Sequence, residues 1–372
     1  MSVLVLEPFY DGSHKQVADI LGSLNHVTII HPEGGTCNKW HWRMLVSAFV
    51  FSTLIPTDSS QYHTIMFTAM MNVTELLGLR PDLKDKRKVL YFHENQLEYP
   101  KSHKNAQQDF NLVWNQIISC VSADVILFNS KFNMDSFFLK AGPFVNKIPT
   151  IQRPRIDFDS LISKSRVLYC PIALAIRIPQ IDPNDQILHI VWPHRWEHDK
   201  GTSEFMDLLE KFNSSGLKLK ISVLGQSFTS NATEFSKAKD TIDDMEHIQI
   251  EHWGRIESAD EYHQVLRVAH VVISTANHEF FGIGMVEAAF CGCFPIAPKR
   301  LSYPELFPQE CLYATDKQLY KAVKQLTPII ARRRMQADHW QLRLERFAWN
   351  NSARERWLEE LPVSLQKRKF MA

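Results

Sequence analysis

The sequence lacks any unbroken apolar stretch near the ~20 residues that would cross a bilayer. Its opening apolar run, Val3 to Leu6, is too short for a secretory h-region and has no basic start. No membrane partner is therefore expected, and a cytoplasmic protein is. An excess of charge is missing too, since 42 Lys+Arg stand against 41 Asp+Glu. No overall field then advertises a polyanion, although a local basic face on one domain is compatible with that balance. Cysteine is sparse: six residues, at 37, 120, 170, 291, 293 and 311, are scattered through 372. That is not the dense framework of a small secreted domain. Cys291-Gly-Cys293 leaves one residue between the thiols with no matching His/Cys pair nearby, so structural thiols are expected there and zinc is not. What the chain does have is 45% apolar residues over a length that exceeds one growing core. Two compact domains of roughly 150–200 residues follow.

Short apolar runs ending in polar turns recur along the first half. Val3 to Leu6 closes at Glu7-Pro8 and opens into Asp11-Gly12-Ser13-His14, after which Lys15 to Leu24 reads as helix. Thr64 to Thr68 precedes a helix near Thr74–Leu79, Lys88 to Phe92 precedes His93-Glu94-Asn95, and Val125 to Phe128 precedes Asn129-Ser130. Apolar strands alternating with helices predict a parallel sheet covered on both faces. Trp40 to Ser52 reads as an amphipathic helix with Trp40, Trp42, Leu45 and Phe49 on its apolar side. From Asn146 to about Gln186 prolines cluster, at 149, 154, 171, 179 and 183, which predicts a connecting segment rather than regular structure.

The alternation then restarts. Strand Leu188–Val191 leads into a loop from Arg195 to Lys200 and a helix from about Thr202 to Phe212, and strand Leu219–Leu224 closes at Gly225. Strand Ile248–His252, the capping box Ser258-x-x-Glu261, strand Val271–Ser274, a helix beginning near Ile283 and strand Phe294–Ala297 follow. Leu326 to Glu359 reads as mostly helical and charged, with the reach to cross back to the first domain. The expected division is 1–170, a linker 171–186, 187–345, and a closing helix within 346–372. Every unusual segment follows a predicted strand, and in doubly wound sheets ligands collect at the strands' carboxyl ends. Two facing sheets sharing one cleft are expected.

The most informative stretch is Ser274-Thr-Ala-Asn-His-Glu279-Phe280-Phe281-Gly282-Ile283-Gly284-Met-Val-Glu287, from a strand through a glycine loop into a helix. The glycines let backbone amides approach a ligand, and the helix N-terminus offers partial positive charge to phosphate. Glu279 stands where it can accept hydrogen bonds from sugar hydroxyls, and Glu287 where it can reach a ribose. Taken alone, the spacing of the two glutamates equally describes a glycine N-cap followed by an ordinary helical Glu. With its flanking strand, the segment resembles the E-x7-E signature of retaining GT-B glycosyltransferases. That resemblance implies an α/β fold of two Rossmann-like, doubly wound parallel-sheet domains facing a central cleft. It also implies roles for Glu279 at the donor sugar and Glu287 at the ribose, within a donor loop spanning Phe280, Phe281, Gly282 and Ile283.

The same family carries an Arg and a Lys on the first loop of its C-terminal domain, and Trp192-Pro-His-Arg195-Trp-Glu-His-Asp-Lys200-Gly201 is similar to it. Arg195 and Lys200 would then neutralise the diphosphate leaving group together with the helix N-terminus, so no metal or other cofactor is expected. The resemblance further puts His93 beside the donor sugar, Gly12 and Ser13 in a loop over the phosphates, and Gly225, Arg255 and Ile256 near the base. For Ser13 and His14, plain N-capping remains the alternative.

A resemblance covering nearly the whole chain is carried by Gly-Ser-His-Lys at 12–15, Lys-Trp-His-Trp-Arg at 39–43, Tyr-Phe-His-Glu-Asn-Gln-Leu at 91–97, Phe-Asn-Ser at 128–130 and the 189–200 segment. These resemble the tRNA-queuosine mannosyltransferase family, which implies transfer of mannose from GDP-mannose to queuosine in the anticodon of tRNA-Asp. On the acceptor side the candidates are His14, Trp42, Asn95, Gln96, Asn129 and Ser130. Trp40 and Trp42 either stack a base or belong to a helix core, and Asn95, Gln96, Asn129 and Ser130 either face the acceptor or shape turns. Lys84 to Lys88 and Arg332 to Arg334 are further basic runs that either meet phosphate or face solvent. Two alternatives keep the donor site or part of it: transfer to a cell-envelope saccharide, lipid or small molecule, and a silent nucleotide-sugar or RNA-binding protein.

Overall fold

The computed structural model describes residues 2–33, 40–99, 109–174, 186–227, 231–335 and 343–361. Two compact units form, one from residues up to Pro171 with those from Trp349 onward, the other from Ile172–Ala348. Most of the 171–186 linker, Cys37 and Lys39 lie outside the described residues.

The first unit is a six-stranded parallel sheet: β1 (Ser2–Leu6), β2 (Val27–Ile30), β3 (Tyr62–Thr68), β4 (Arg87–Phe92), β5 (Val125–Phe128) and β6 (Ser165–Val167). Their spatial order is β2-β1-β3-β4-β5-β6, so the winding reverses between β1 and β3. Four consecutive buried residues in each of β1, β4 and β5 give the sheet apolar faces on both sides. Helices α1 (Gly12–Gly22), α2 (Trp40–Leu54), α3 (Val73–Leu79), α4 (Phe110–Ser122), α5 (Lys131–Val145) and α6 (Phe158–Ser163) complete the unit.

Three expectations are corrected here. Helix α1 starts at Gly12 rather than Lys15, with Asp11 at its N-cap, so Ser13 and His14 lie in the first turn instead of capping it. Helix α2 exists, but of its named apolar side only Trp40 packs inward, half-buried against Met44, Met70 and Leu112. Met44, Ser47, Ala48 and Phe51 are its buried stripe, while Trp42 and Phe49 are each 62% exposed, with Leu45 and Val46 beside them at the surface. A helix apolar on every side gives periodicity nothing with which to choose its inner face. The proline-rich segment is also not a plain connection, because it holds α6 and β6. No proline falls between Pro154 and Pro171, and Asp157 starts α6 by accepting the Ser160 N–H at 3.0 Å. Asp157-Phe158-Asp159, the single Asp-x-Asp of the sequence, is accordingly a helix cap and first turn.

The second unit repeats the plan with β7 (Leu188–Trp192), β8 (Leu219–Val223), β9 (Ile248–Trp253), β10 (Val271–Ile273), β11 (Phe294–Pro298) and β12 (Leu312–Tyr313). The order β12-β11-β10-β7-β8-β9 puts its reversal between β7 and β10. Helices α7 (Thr202–Ser214), α8 (Ala232–Asp243), α9 (Ala259–Val268), α10 (Ile283–Phe290), α11 (Tyr303–Leu306), α12 (Asp316–Lys324) and α13 (Pro328–Met335) belong to it. The serine half of the capping box is present: the Ser258 side chain accepts the Glu261 N–H at the start of α9. Helix α14 (Asn351–Glu360) packs on the first unit, where buried Trp357 meets the Tyr91 ring at 5.2 Å and Glu360 pairs with Arg166 at 2.6 Å.

Candidate active site

A reversal of winding leaves the loops at the carboxyl ends of two adjacent strands diverging to opposite faces, which opens a crevice between them. In the second unit those strands are β7 and β10, and they are followed by the loops that carry Arg195 to Lys200 and Ser274 to Gly282. The two loops are stitched together. The N–H groups of Asn277 and His278 donate to the Asp199 carbonyl at 2.8 and 3.0 Å. The Thr275 hydroxyl reaches the carbonyls of Lys200 and Gly201 and accepts from the Trp192 indole at 2.9 Å. Gly282 opens α10 at φ 82°, and a Cβ there would stand 2.9 Å from the Tyr303 ring, so both backbone and space call for glycine.

Lys200 is 8% exposed, and its ammonium lies 2.9 Å from the His278 carbonyl, 3.1 Å from Asp199 and 3.4 Å from Glu279. Burial alone would lower its pKa, but Glu279 and then Asp199 outweigh burial and hold it above the usual lysine value. For Glu279 burial works upward, yet Lys200, followed by His194 and His278, pulls the carboxyl down to about 2. The pair is therefore fully ionised at neutral pH. Backbone N–H groups of Phe280 and Phe281 also support the Glu279 carboxylate. His194 is pushed down to about 4, chiefly by burial, so it is a neutral imidazole, and its buried Nε2 meets no partner among the described residues. Arg195 is the exposed cation of the group, 48% accessible and 3.1 Å from Glu197.

The remaining donor-side candidates divide. Gly225 stands where a Cβ would come within 1.5 Å of the His194 carbonyl, so its part is to let β8 press against the Arg195 loop. Arg255 is exposed and donates to Gln226 at 2.8 Å, with half-buried Ile256 beside it. Phe280 and Phe281 bury their rings, against His278 and Phe347 respectively, while their N–H groups serve the Glu279 carboxylate and the Phe281 carbonyl accepts from the Ser302 hydroxyl. Ile283 is half-buried at the start of α10, and half-buried Glu287 hydrogen-bonds Tyr262 from inside the helix.

His93 belongs to a cluster within the first unit, at the carboxyl ends of β1 and β4. His14 Nδ1 lies 3.0 Å from Glu7, His93 Nε2 lies 3.9 Å from the same carboxylate, and the two imidazoles stack at 3.8 Å with a 25° tilt. Burial first, and His14 second, hold the His93 pKa well below the usual histidine value. The ligand atoms of Glu7, His14 and His93 lie within 4.8 Å of one another. A metal must lie in the plane of each coordinating ring at about 2.1 Å from its nitrogen. The two rings stack with a 25° tilt, so their planes do not converge close to the carboxylate. Gly12, at φ 52°, and half-buried Ser13 adjoin it on α1.

Of the acceptor-side candidates, Asn95, Asn129 and Ser130 are consumed within the first unit. Asn95 is fully buried and donates to Asn133 and Ser136 while accepting from the Glu98 N–H. Asn129 donates to the His93 carbonyl at 2.7 Å, and Ser130 caps α5 by accepting the Asn133 N–H at 3.0 Å. Asn129 thus anchors the His93 backbone, while Asn95 and Ser130 converge on Asn133. Gln96 is 8% exposed and donates to Glu94 at 3.2 Å. Trp42 is at the surface, and its neighbour Arg43 lies over the Phe9 ring at 5.4 Å, with Phe9 in turn 6.1 Å from His14. The basic runs are partly internal: Lys86 donates to the Ser59 carbonyl, Lys88 pairs with Asp124, and Arg334 covers the Phe294 ring.

Sequence reasoning passed over Glu7, His194 and Asp199. The signal for Glu7 was a carboxylate closing a strand of uniformly apolar residues. For the other two it was position alone, inside a loop already singled out for its cations.

With this geometry in place, the comparisons with known proteins can be read. Residues 2–172 match the family model described as the tRNA-queuosine alpha-mannosyltransferase N-terminal region. A Drosophila melanogaster protein named tRNA-queuosine alpha-mannosyltransferase is 38% identical over 335 residues, covering 86% of this chain and 85% of that one. Among solved structures, sucrose-phosphate synthase from Thermosynechococcus elongatus superposes with a TM-score of 0.71 at 14% identity, covering 97% and 99% of the two chains. Anabaena HepE in complex with UDP and glucose superposes at 0.65, also at 14% identity, covering 98% and 100%. At such identities the likeness speaks for the fold, which is GT-B.

Proposed function

We infer the reaction from the premise that this chain belongs to the tRNA-queuosine alpha-mannosyltransferase family. It is a glycosyltransferase that mannosylates queuosine in tRNA. We propose GDP-mannose as the donor, tRNA-Asp as the carrier of the acceptor base, the cytoplasm as the place of action and retention as the stereochemical course. The observation that carries the donor half is the fully ionised pair of buried Lys200 and half-buried Glu279, 3.4 Å apart at the winding reversal of the second sheet.

Breaking a glycosyl–phosphate bond builds negative charge on the departing nucleoside diphosphate, and fixed positive charge already in place lowers that barrier. Lys200 supplies it from a buried position, Arg195 from an accessible one, and the N-terminus of α10 adds its aligned N–H groups. These three sources make a divalent metal unnecessary for stabilising the leaving group. Glu279, kept anionic by Lys200, is a permanent acceptor for donor-sugar hydroxyls, and Glu287 for ribose hydroxyls. On the acceptor side, exposed Trp42 offers a face on which a splayed base can stack. No carboxylate is assigned as a second-face nucleophile, so the acceptor hydroxyl attacks from the side of the leaving group and its proton passes to the departing phosphate.

The test incubates the protein with GDP-mannose and queuosine-containing tRNA, with excess chelator in one arm, and follows GDP release and the tRNA mass. One hexosyl unit added per queuosine, with or without chelator, is the expected result. GDP release with no change in the tRNA would refute the acceptor, and faster turnover with UDP-sugars would refute the donor.

A further inference from the structure

We propose that Glu7 is a positioning residue for the transfer reaction, fixing the tautomer and ring plane of His14 and, through the ring stack, the plane of His93. The proposal rests on the transferase reading above and assigns a residue that the motif resemblance leaves without a role. Glu7 is 1% exposed at the carboxyl end of β1, beside the winding reversal of the first sheet. Its Oε1 accepts the Phe9 N–H at 2.7 Å and meets His14 Nδ1 at 3.0 Å, while Oε2 lies 3.9 Å from His93 Nε2. One carboxylate, held by a backbone donor, thus faces both rings.

A carboxylate only accepts, so the contact requires the proton on Nδ1 of His14 and puts the lone pair of the neutral ring on Nε2. The stack, 3.8 Å between centroids, then carries that orientation over to His93. Burial first and His14 second hold the proton affinity of His93 below the usual histidine value, so its ring stays neutral beside His14. Tyr91 also faces the stack, edge-on to His93 at 4.8 Å, and Arg43 lies across the Phe9 ring.

The test compares the parent with Glu7→Leu, which removes the acceptor, and with Glu7→Gln, whose amide oxygen still accepts from the Phe9 N–H and from His14 Nδ1. Histidine 15N chemical shifts report the tautomer without any turnover. The parent and E7Q are expected to hold His14 as the Nδ1–H form, and E7L to move toward the Nε2–H form. In mannosyl transfer, kcat of E7L is expected to fall roughly tenfold or more while the donor KM stays within about twofold, and E7Q should recover most of that loss. An Nε2–H tautomer for His14 in the parent overturns the proposal, as does an E7L with the parental tautomer or the parental kcat. Should E7L not fold, an E7Q that turns His14 to the Nε2–H form at parental kcat overturns it equally. A parent that transfers no mannose defeats the functional reading and leaves the tautomer result to decide this one.

Discussion

Lys200→Met is the substitution whose effect the structure specifies most fully. It keeps the length of the side chain and deletes the charge that Glu279 and Asp199 face at 3.4 and 3.1 Å. At an effective dielectric near 20, a pair 3.4 Å apart interacts by about 5 kcal/mol, and breaking a buried pair by removing one partner typically costs about 3–5 kcal/mol. An independent route agrees: Glu279 titrates at about 2 in the fold against the usual 4.5, which corresponds to roughly 3 kcal/mol of stabilisation at neutral pH. K200M should therefore lose about 3–5 kcal/mol in urea unfolding, and its kcat for mannosyl transfer should drop roughly a hundred- to a thousandfold. The double variant K200M/E279Q separates the two effects. With the orphaned carboxylate neutralised, stability should recover to within about 1–2 kcal/mol of the parent, while transfer stays as low as in the single variant. Urea midpoints and tRNA mass shifts read the two outcomes. A single variant as stable as the parent, a double variant no more stable than the single, or near-parental turnover in either would refute the reasoning.

Acid tolerance should depend on Glu279. Its pKa is depressed on folding, so its contribution is present above the unfolded value near 4.5 and is lost as pH falls toward about 2; E279Q should flatten that limb of the stability curve, and superimposable limbs would count against the pair. Gly225→Ala should lower the melting temperature far more than Gly12→Ala, since a Cβ at 225 meets the His194 carbonyl at 1.5 Å whereas at 12 nothing lies within 4 Å. Gly12→Ala carries only the cost of its left-handed backbone, about 1–2 kcal/mol. Trp42→Ala, at a side chain 62% exposed, should leave the melting temperature unchanged and GDP affinity intact. It should weaken tRNA binding by the loss of one stacked base, about 1–3 kcal/mol in a gel-shift titration; undiminished RNA affinity would remove Trp42 from the acceptor side.

How much of this was legible in the chain can be argued from particular residues. The doubly wound plan was, because runs such as Val125–Phe128 and Leu188–Val191 are apolar throughout and punctuated by polar turns. Helix α2 shows where legibility stops. Its existence followed from composition, but Met44, Ala48 and Phe51 won the inner face through packing against neighbours that no local pattern encodes. Strand β6, of three residues and none buried, carries too little signal to be seen without the sheet it joins. At the site, Glu279 came forward through its strand, loop and glycines and Lys200 through the resemblance to a family with a lysine on that loop, but their ion pair could not, since it depends on two loops 79 positions apart in sequence converging. Asn95, Asn129 and Ser130 mark the opposite case. Polar residues at strand ends look alike whether they face a ligand or satisfy buried backbone, and only the network from Asn133 to the His93 carbonyl tells the two apart.

The Asp199 carbonyl, which holds the N–H groups of Asn277 and His278, has a consequence for how such a catalyst can change over time. The segment proposed to neutralise the leaving group and the segment proposed to grip the sugar are anchored to one peptide oxygen, so an insertion in either would drag the other out of register. Divergence in sugar preference is thereby steered toward side-chain replacement within loops of fixed length, and a homologue with a lengthened turn at either position should have relinquished transfer altogether.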